Sequence, residues 1–344
     1  MRIAAISYPA LFQAIGGLQV QMLETVAAVR RTAHDMVLID PVREKFTDFD
    51  LLHVFACVHG NYTLVRRAQS LHVPVVVSSL MQPHWTRTLG MTARGAERVL
   101  GRLTGWHVRT EYSQMWRCLH WAERCVSLGR LETQTLQQAF QVPAAKIAEV
   151  PNGVPPRFFD ATPDAALAHY GLRPGYVLCV GSVNSHKNQL GLGRQLVLVG
   201  QCLPADAPYL KQVLELPDTR HLGALCYDDP LLPGLYAGAG VLALVSQSEV
   251  MPLVVLEALA AGVPAVMTRR HGMGTAGMAG CLTEVDPDDT DAIRRALQQM
   301  LADPPDAARC RATVAHLCWD EVAQQLLTVY QNAIATRAGS TPVH

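Results

Sequence analysis

Two glutamates offer the clearest chemistry in this chain. Glu249 and Glu257 are separated by seven residues inside SQSEVMPLVVLEALAAGVP, residues 246–264. A helix starting near Met251 or Pro252 would set its first-turn amides beside Glu249. Pro252 suits an early helical position, where its missing N–H is not needed. Glu257 then lies about two turns into the helix, and Gly262 and Pro264 end it. A helix start offers free amides and about +0.5 of an elementary charge, which suits a diphosphate. Carboxylates flanking such an anion site cannot be phosphate ligands; they would accept hydrogen bonds from sugar hydroxyls. The plainer alternative makes Glu249 a helix-start carboxylate favoured by the dipole and Glu257 an exposed helix residue.

Gly181-Ser182-Val183-Asn184-Ser185-His186-Lys187-Asn188 directly follows the apolar run Tyr176–Val180. A strand ending in glycine and polar residues opens onto a cleft edge, where Lys187 can reach a phosphate as a point charge. Alone, Lys187 is equally an exposed loop lysine; the glutamate segment makes it specific. Gly16-Gly17 follows the first apolar run and precedes a helical pattern from Val20. Glycines there let a ligand approach the backbone, or simply form a tight turn. The full G-x-G-x-x-G spacing of a redox dinucleotide site is missing. Metal sites are weakly supported: the nine cysteines contain no Cys-x-x-Cys pair. Asp48-Phe49-Asp50 reads as a turn, and Asp286-Pro287-Asp288-Asp289 as a helix start.

These residues need a frame that brings distant loops together. Short apolar runs recur at Ile3–Ser7, Met36–Ile39, Leu51–Phe55, Val73–Val77 and Cys125–Leu128, then at Tyr176–Val180, Gln195–Val199, Val241–Val245 and Ala265–Thr268. Most lack period-two alternation, as expected of parallel strands buried on both faces. Helical patterns lie between many of them, at Val20–Arg31, Leu131–Phe140, Pro252–Ala261 and Thr290–Leu301. Alternating strands and helices predict two α/β sheets. The turn-rich string Pro151-Asn152-Gly153-Val154-Pro155-Pro156 separates them. Two Rossmann-like domains facing each other would leave a cleft where the carboxyl ends of both sheets point. Only about 14 residues lie between Gly181 and the strand at Gln195, and a crossover with a full helix usually takes about a dozen or more, so the helix there must be very short. Trp319 to about Ala335 is apolar at helical spacing.

Composition excludes other classes. The chain has 344 residues, 49% hydrophobic and 17% charged, with 29 Lys and Arg against 29 Asp and Glu. A nucleic-acid binder would carry a basic excess. No apolar run approaches the roughly 18–20 residues of a membrane span. Pro9 and Gly16-Gly17 interrupt the N-terminal apolar stretch, unlike a signal peptide, and scattered cysteines suit a reduced cytoplasmic protein. The charge is uneven: residues 66–130 hold ten arginines against Glu97, Glu111 and Glu123. That segment is either a solvated face or one drawn to an anionic surface or acceptor.

Together, SQSEVMPLVVLEALAAGVPAV, VLCVGSVNSHKN, VPNGVPPRFF and LLHVF resemble the retaining glycosyltransferases of the two-domain GT-B fold, family four, also called glycosyl transferases group 1. The likeness runs over nearly the whole chain. It implies an acceptor-side domain over 1–160 and a nucleotide-sugar domain over 161–318, with a helix over 319–337 that crosses back to the first domain. It further implies transfer of a sugar from a nucleoside diphosphate sugar to a glycan, glycolipid or small-molecule acceptor, with retention at the anomeric carbon. Glu249 would contact the donor sugar and Glu257 the ribose. Lys187, after Gly181, would neutralise the diphosphate with amides near Met251, Pro252 and Leu253. Gly16 and Gly17 would close over the phosphates from the other domain. Lys187 and Glu249 are the expected catalytic pair, and all these groups are expected to line the cleft. No metal or cofactor is implied, because a lysine and a helix start replace the divalent cation. The remaining expectations are no nucleic-acid partner, a cytoplasmic location, and peripheral membrane contact through residues 66–130. Three positions differ from the pattern. Val250 replaces a frequent glycine, Ser182 and His186 stand where an arginine is common, and Ser78-Ser79-Leu80 stands where a histidine often occurs. A nucleotide-sugar epimerase and a non-catalytic nucleotide-sugar-binding subunit are the alternative functions.

Overall fold

The computed structural model describes residues 1–13, 16–105, 108–193 and 195–339. Its first sheet contains β1 (Arg2–Ile6), β2 (Asp35–Leu38), β3 (Leu51–Phe55), β4 (Val75–Ser78), β5 (Arg124–Ser127) and β6 (Ile147–Glu149). They pair in the order β2-β1-β3-β4-β5-β6, all parallel. Helices α1 (Gly17–Arg30), α2 (Tyr62–Ser70), α3 (Arg87–Thr104), α4 (Glu111–Trp121) and α5 (Arg130–Gln138) cover it. Every residue of β3 and β4 is buried, which explains their unbroken apolar runs.

The second sheet contains β7 (Tyr176–Val180), β8 (Leu196–Val199), β9 (Arg220–His221), β10 (Ala239–Leu244), β11 (Ala265–Thr268) and β12 (Leu282–Val285). Its order is β12-β11-β10-β7-β8-β9, again all parallel. This is the doubly wound arrangement, with its topological switch between β7 and β10. The accompanying helices are α6 (Pro156–Phe159), α7 (Asp164–Tyr170), α8 (Ala207–Leu214), α9 (Leu232–Ala237), α10 (Leu253–Ala260), α11 (Thr290–Ala302) and α12 (Ala307–Val314), and the chain ends in α13 (Trp319–Gly339). Two 3₁₀ turns, Ser185–Lys187 and Gln189–Leu192, occupy the crossover from β7 to β8.

The chain passes between the domains twice, at adjacent points. Val154 N–H donates to the Leu317 carbonyl at 2.8 Å. A Cβ on Gly153 would lie 2.6 Å from the Trp319 nitrogen, so only glycine fits this crossing. By Phe158 the chain lies in the core of the second domain. Helix α13 returns to the first domain, where Val322, Leu326, Leu327 and Tyr330 join the core of Ile3, Val26, Val29 and Phe55. Tyr330 OH meets His53 Nδ1 at 2.8 Å, and His53 Nε2 meets Ser78 Oγ at 2.9 Å. Burial pushes the His53 pKa down to about 3, so the ring is neutral and serves as a bridge from α13 to β3 and β4.

Candidate active site

Each sheet has a switch point, and the two face each other. In the first sheet β1 is followed by Tyr8 and Gly17, and β3 by Ala56, Val58 and His59. In the second, β10 leads into Glu249, Val250 and Met251. These residues, with Pro252 and Leu253, line one cavity of about 310 Å³ between the domains. Helix α1 begins at Gly17 with Gly16 as its extended N-cap. A Cβ on either glycine would meet nothing within 4 Å, so the space above this helix start is open.

Lys187 and Glu249 come together because β7 and β10 are neighbours. Lys187 Nζ lies 2.6 Å from Glu249 Oε1, with side chains 24% and 14% exposed. Asn184 fixes the lysine turn, its side-chain oxygen accepting from Lys187 N–H at 3.1 Å. Gln247 N–H donates to the His186 carbonyl at 2.8 Å, and Glu249 N–H to the Arg270 carbonyl at 2.9 Å. Gly181 has φ +131°, a conformation that side chains rarely adopt, and a Cβ there would point toward Lys187 Cε at 3.8 Å. Pro252 caps α10, and Val255 N–H reaches back to its carbonyl at 3.3 Å. The pair therefore sits beside a helix start, where an anion is favoured.

Glu257 departs from expectation. It is 3% exposed and does not line the cavity. Tyr236 OH donates to its Oε2 at 2.6 Å. Desolvation pushes its pKa up to about 7 despite that bond and Arg157 nearby. Helix α10 is apolar on all sides, because α6, α9 and α12 pack around it, so its second turn faces a core rather than the cleft. Glu24, Arg157 and Tyr227 lie next to this carboxylate. The Arg157 guanidinium stacks 4.3 Å from the Tyr227 ring centre and donates to the Tyr227 carbonyl at 2.9 Å. Burial raises the Glu24 pKa.

Several site residues were not legible beforehand. His59 lines the cavity, its ring edge-on to Tyr8 with centroids 4.6 Å apart. Ala56, His59 and Leu80 all have positive φ, at +73°, +56° and +49°, and all line the first-domain wall. Such strain in non-glycine residues gathers at functional sites. The signal available was position: each follows a strand near the switch point. Asn152, in the hinge string, is 3% exposed and donates through Nδ2 to the Met251 carbonyl at 3.1 Å. It ties the hinge to the start of α10. Gln82 faces Ser248 across the cleft, accepting from its hydroxyl at 3.2 Å. Among the described residues, no three His, Cys, Asp or Glu side chains gather as a metal site. Asp50 is a turn residue, accepting from Arg2 N–H at 2.7 Å.

Comparison with known proteins bears on the fold and on the second domain. Residues 175–303, within the second domain, match the family described as Glycosyl transferases group 1. A D-inositol 3-phosphate glycosyltransferase of Salinispora tropica is 38% identical over 115 residues, 30% of this chain and 23% of the relative. The chain thus aligns with under a quarter of that curated relative. A GDP-mannose-dependent alpha-(1-6)-phosphatidylinositol monomannoside mannosyltransferase of Mycolicibacterium smegmatis is 27% identical, covering 89% of this chain and 91% of the relative. Among solved structures, HepE of Anabaena in complex with UDP superposes with a TM-score of 0.70 at 15% identity, over 95% of this chain and 99% of that one. Sucrose-phosphate synthase from Thermosynechococcus elongatus gives 0.71 at 17% identity, over 97% and 100%. The fold is GT-B, two Rossmann-like domains around a cleft.

Proposed function

We propose that this protein is a glycosyltransferase that moves a sugar from a nucleoside diphosphate sugar to an acceptor, with retention and without a metal ion. The observation that carries the reading is the Lys187–Glu249 pair at 2.6 Å, beside the start of α10, with Glu249 on the wall of the interdomain cavity and Lys187 behind it. As the glycosidic bond breaks, the leaving diphosphate gains negative charge. A fixed ammonium beside a helix start stabilises that change without reorganising. Once the diphosphate takes Lys187, the Glu249 oxygens are free to accept from hydroxyls of the transferred sugar. Among the described residues, the first-domain wall of the cavity carries His59, Tyr8 and Gln82 but no carboxylate. This supports a front-face displacement, in which the leaving phosphate takes the acceptor proton, over a covalent enzyme carboxylate.

Helix α3 supports a further element, contact with an anionic membrane. Val99 and Leu103 are 59% and 79% exposed, and Arg98 and Arg102 are exposed beside them. An apolar stripe flanked by arginines suits the surface of an anionic bilayer. Among the described residues no helix is long and apolar enough to cross one. Binding to anionic vesicles should weaken as salt shortens the Debye length from about 10 Å at 0.1 M to about 3 Å at 1 M. Equal binding to neutral vesicles would remove this element.

A thermal-shift screen of nucleotide sugars, followed by assay of nucleoside diphosphate release, tests the main reading. A donor at 100 times its dissociation constant stabilises by about 2.7 kcal/mol. Slow release of the nucleoside diphosphate, accelerated by acceptor, is the expected result. Binding without release would favour a non-catalytic binding subunit, and interconversion of donor sugars an epimerase.

A further inference from the structure

A second cavity, of about 260 Å³, lies beside the first. Met81 lines it, whereas the flanking Leu80 and Gln82 line the donor cavity. Its second-domain wall is His271 and Gly272. Glu249 forms a backbone bridge to that His271, and Gly272 N–H donates to the Glu249 carbonyl at 3.2 Å. The two cavities therefore share a partition one residue thick on each side, with Glu249 on it.

The lining has a definite chemical character. Trp85 presents an indole held in place by Phe140 and Tyr112, with ring centroids 5.2 and 5.7 Å away. Gln134 and Gln138, one turn apart on α5, and Thr135 between them supply amide and hydroxyl groups. Arg87 supplies a cation. The one carboxylate among the described lining residues, Glu132, is not available to a ligand. It is 2% exposed, and its oxygens accept from Ser79 Oγ, Met81 N–H and Leu128 N–H, each at 2.6 Å. The ring nitrogens of His271 are also engaged, by Glu284 at 2.9 Å and by Met273 N–H at 3.1 Å. Among the described residues, the pocket thus offers an aromatic face, neutral hydrogen-bonding groups and one positive charge, Arg87. Glu97 and Glu123, two of the three acids in the surrounding basic segment, are buried in hydrogen bonds to Thr110 and Val75 and do not offset it.

We infer that this second cavity is the acceptor subsite, and that the acceptor is a hydroxylated ring, a sugar or cyclic polyol, carrying a phosphate that Arg87 binds. The inference rests on the transferase reading and extends it to the other substrate. A ring seated on Trp85 places a hydroxyl toward the partition with Glu249, and its phosphate reaches Arg87 at the outer end. The phosphate can belong to a free sugar phosphate or to a lipid headgroup, since both present the same chemistry to the pocket.

The test uses the full-length protein, the donor identified by the screen, and matched acceptors: glucose and glucose 6-phosphate, myo-inositol and myo-inositol 1-phosphate, and vesicles of phosphatidylinositol and of phosphatidylcholine. The expected result is that a phosphorylated member accelerates nucleoside diphosphate release at least tenfold over donor alone, and its neutral partner does not. A soluble ester that suffices identifies a free sugar phosphate; a response to phosphatidylinositol vesicles alone identifies a headgroup. Arg87→Gln should raise the Michaelis constant for that acceptor at least tenfold. Arg43→Gln, an exposed arginine outside the cavity, should leave the constant for that acceptor unchanged. Equal response to neutral acceptors, no response to any of them, or an unchanged acceptor constant in Arg87→Gln would overturn the inference. Donor hydrolysis by the unmodified protein is read separately: its presence without an acceptor response removes only this inference, and its absence removes the transferase reading as well.

Discussion

Replacing Glu257 by glutamine tests the buried end of the donor region in a way that separates folding from chemistry. Burial raises this carboxyl from 4.5 to about 7. An acid whose folded pKa is raised contributes stability that is intact below the unfolded value and is lost as pH rises through the folded one. Between pH 5 and pH 8 the linkage for a shift from 4.5 to about 7 amounts to roughly 2–3 kcal/mol of lost stability. Glutamine keeps the shape, can accept from Tyr236 OH, and does not ionise. Raised acids that do not neighbour Glu257, such as Glu132, titrate in both proteins and largely cancel. Urea denaturation of both proteins at pH 5 and pH 8 measures the double difference. The variant should gain roughly 2–3 kcal/mol on the wild type across that range. A pH-independent difference would refute the reasoning, because Glu257 would then be ionising as an exposed carboxylate does. In kinetics Glu257→Gln should leave turnover and the donor Michaelis constant near wild type, because the side chain is buried and does not line the cavity.

Three structural predictions follow from packing. Gly153→Ala places a Cβ 2.6 Å from the Trp319 nitrogen, so overpacking at the double crossing should cost about 1–3 kcal/mol, visible as a lower thermal midpoint. Glu132→Ala strands Met81 N–H and Leu128 N–H, while Ser79 Oγ keeps the Val126 carbonyl at 3.1 Å; at about 1–3 kcal/mol for each buried unpaired group, denaturation should show a loss of at least ~2 kcal/mol. Ending the chain after Asp320 removes Val322, Leu326, Leu327 and Tyr330 from the first-domain core. At about 1.5–3 kcal/mol for each buried side chain, the loss approaches or exceeds the ~5–15 kcal/mol stability of a typical domain, so the product should be insoluble. Soluble truncated protein with normal turnover would contradict the docking of α13.

What could be read in advance followed burial. β1, β3, β4, β7, β10 and β11 are central strands whose apolar runs announce themselves. The edge strands β6, β9 and β12 escaped notice because they are two to four residues long and half exposed. Helices α2, α3 and α4 lack the long apolar stripe of a core helix, and α3 contains Gly90, Gly95 and Gly101. Gly90 looks like a breaker, yet a Cβ there would lie 2.3 Å from the Ala139 carbonyl; it exists so that α3 can pack against the end of α5. Lys187 and Glu249 were legible because local turn and helix-start chemistry marks them. The burial of Glu257 was not, since helical spacing alone does not reveal that three other helices surround α10. His59, Asn152 and the Trp85 pocket depend on which loops the two sheets bring face to face, information that no single segment carries.

The central claim is that Lys187 stabilises the charge of a departing nucleoside diphosphate. Steady-state release of that product by Lys187→Ala, compared with the wild type on one identified donor and acceptor, tests it most directly. The account predicts turnover lower by ~10²–10³, the scale for losing one preorganised electrostatic partner. Its thermal midpoint should be nearly unchanged, because the lysine side chain is 24% exposed and lies at the cleft. Wild-type turnover in this variant would contradict the account, since the diphosphate would then be held elsewhere and the Lys187–Glu249 pair would be an ion pair without a catalytic role.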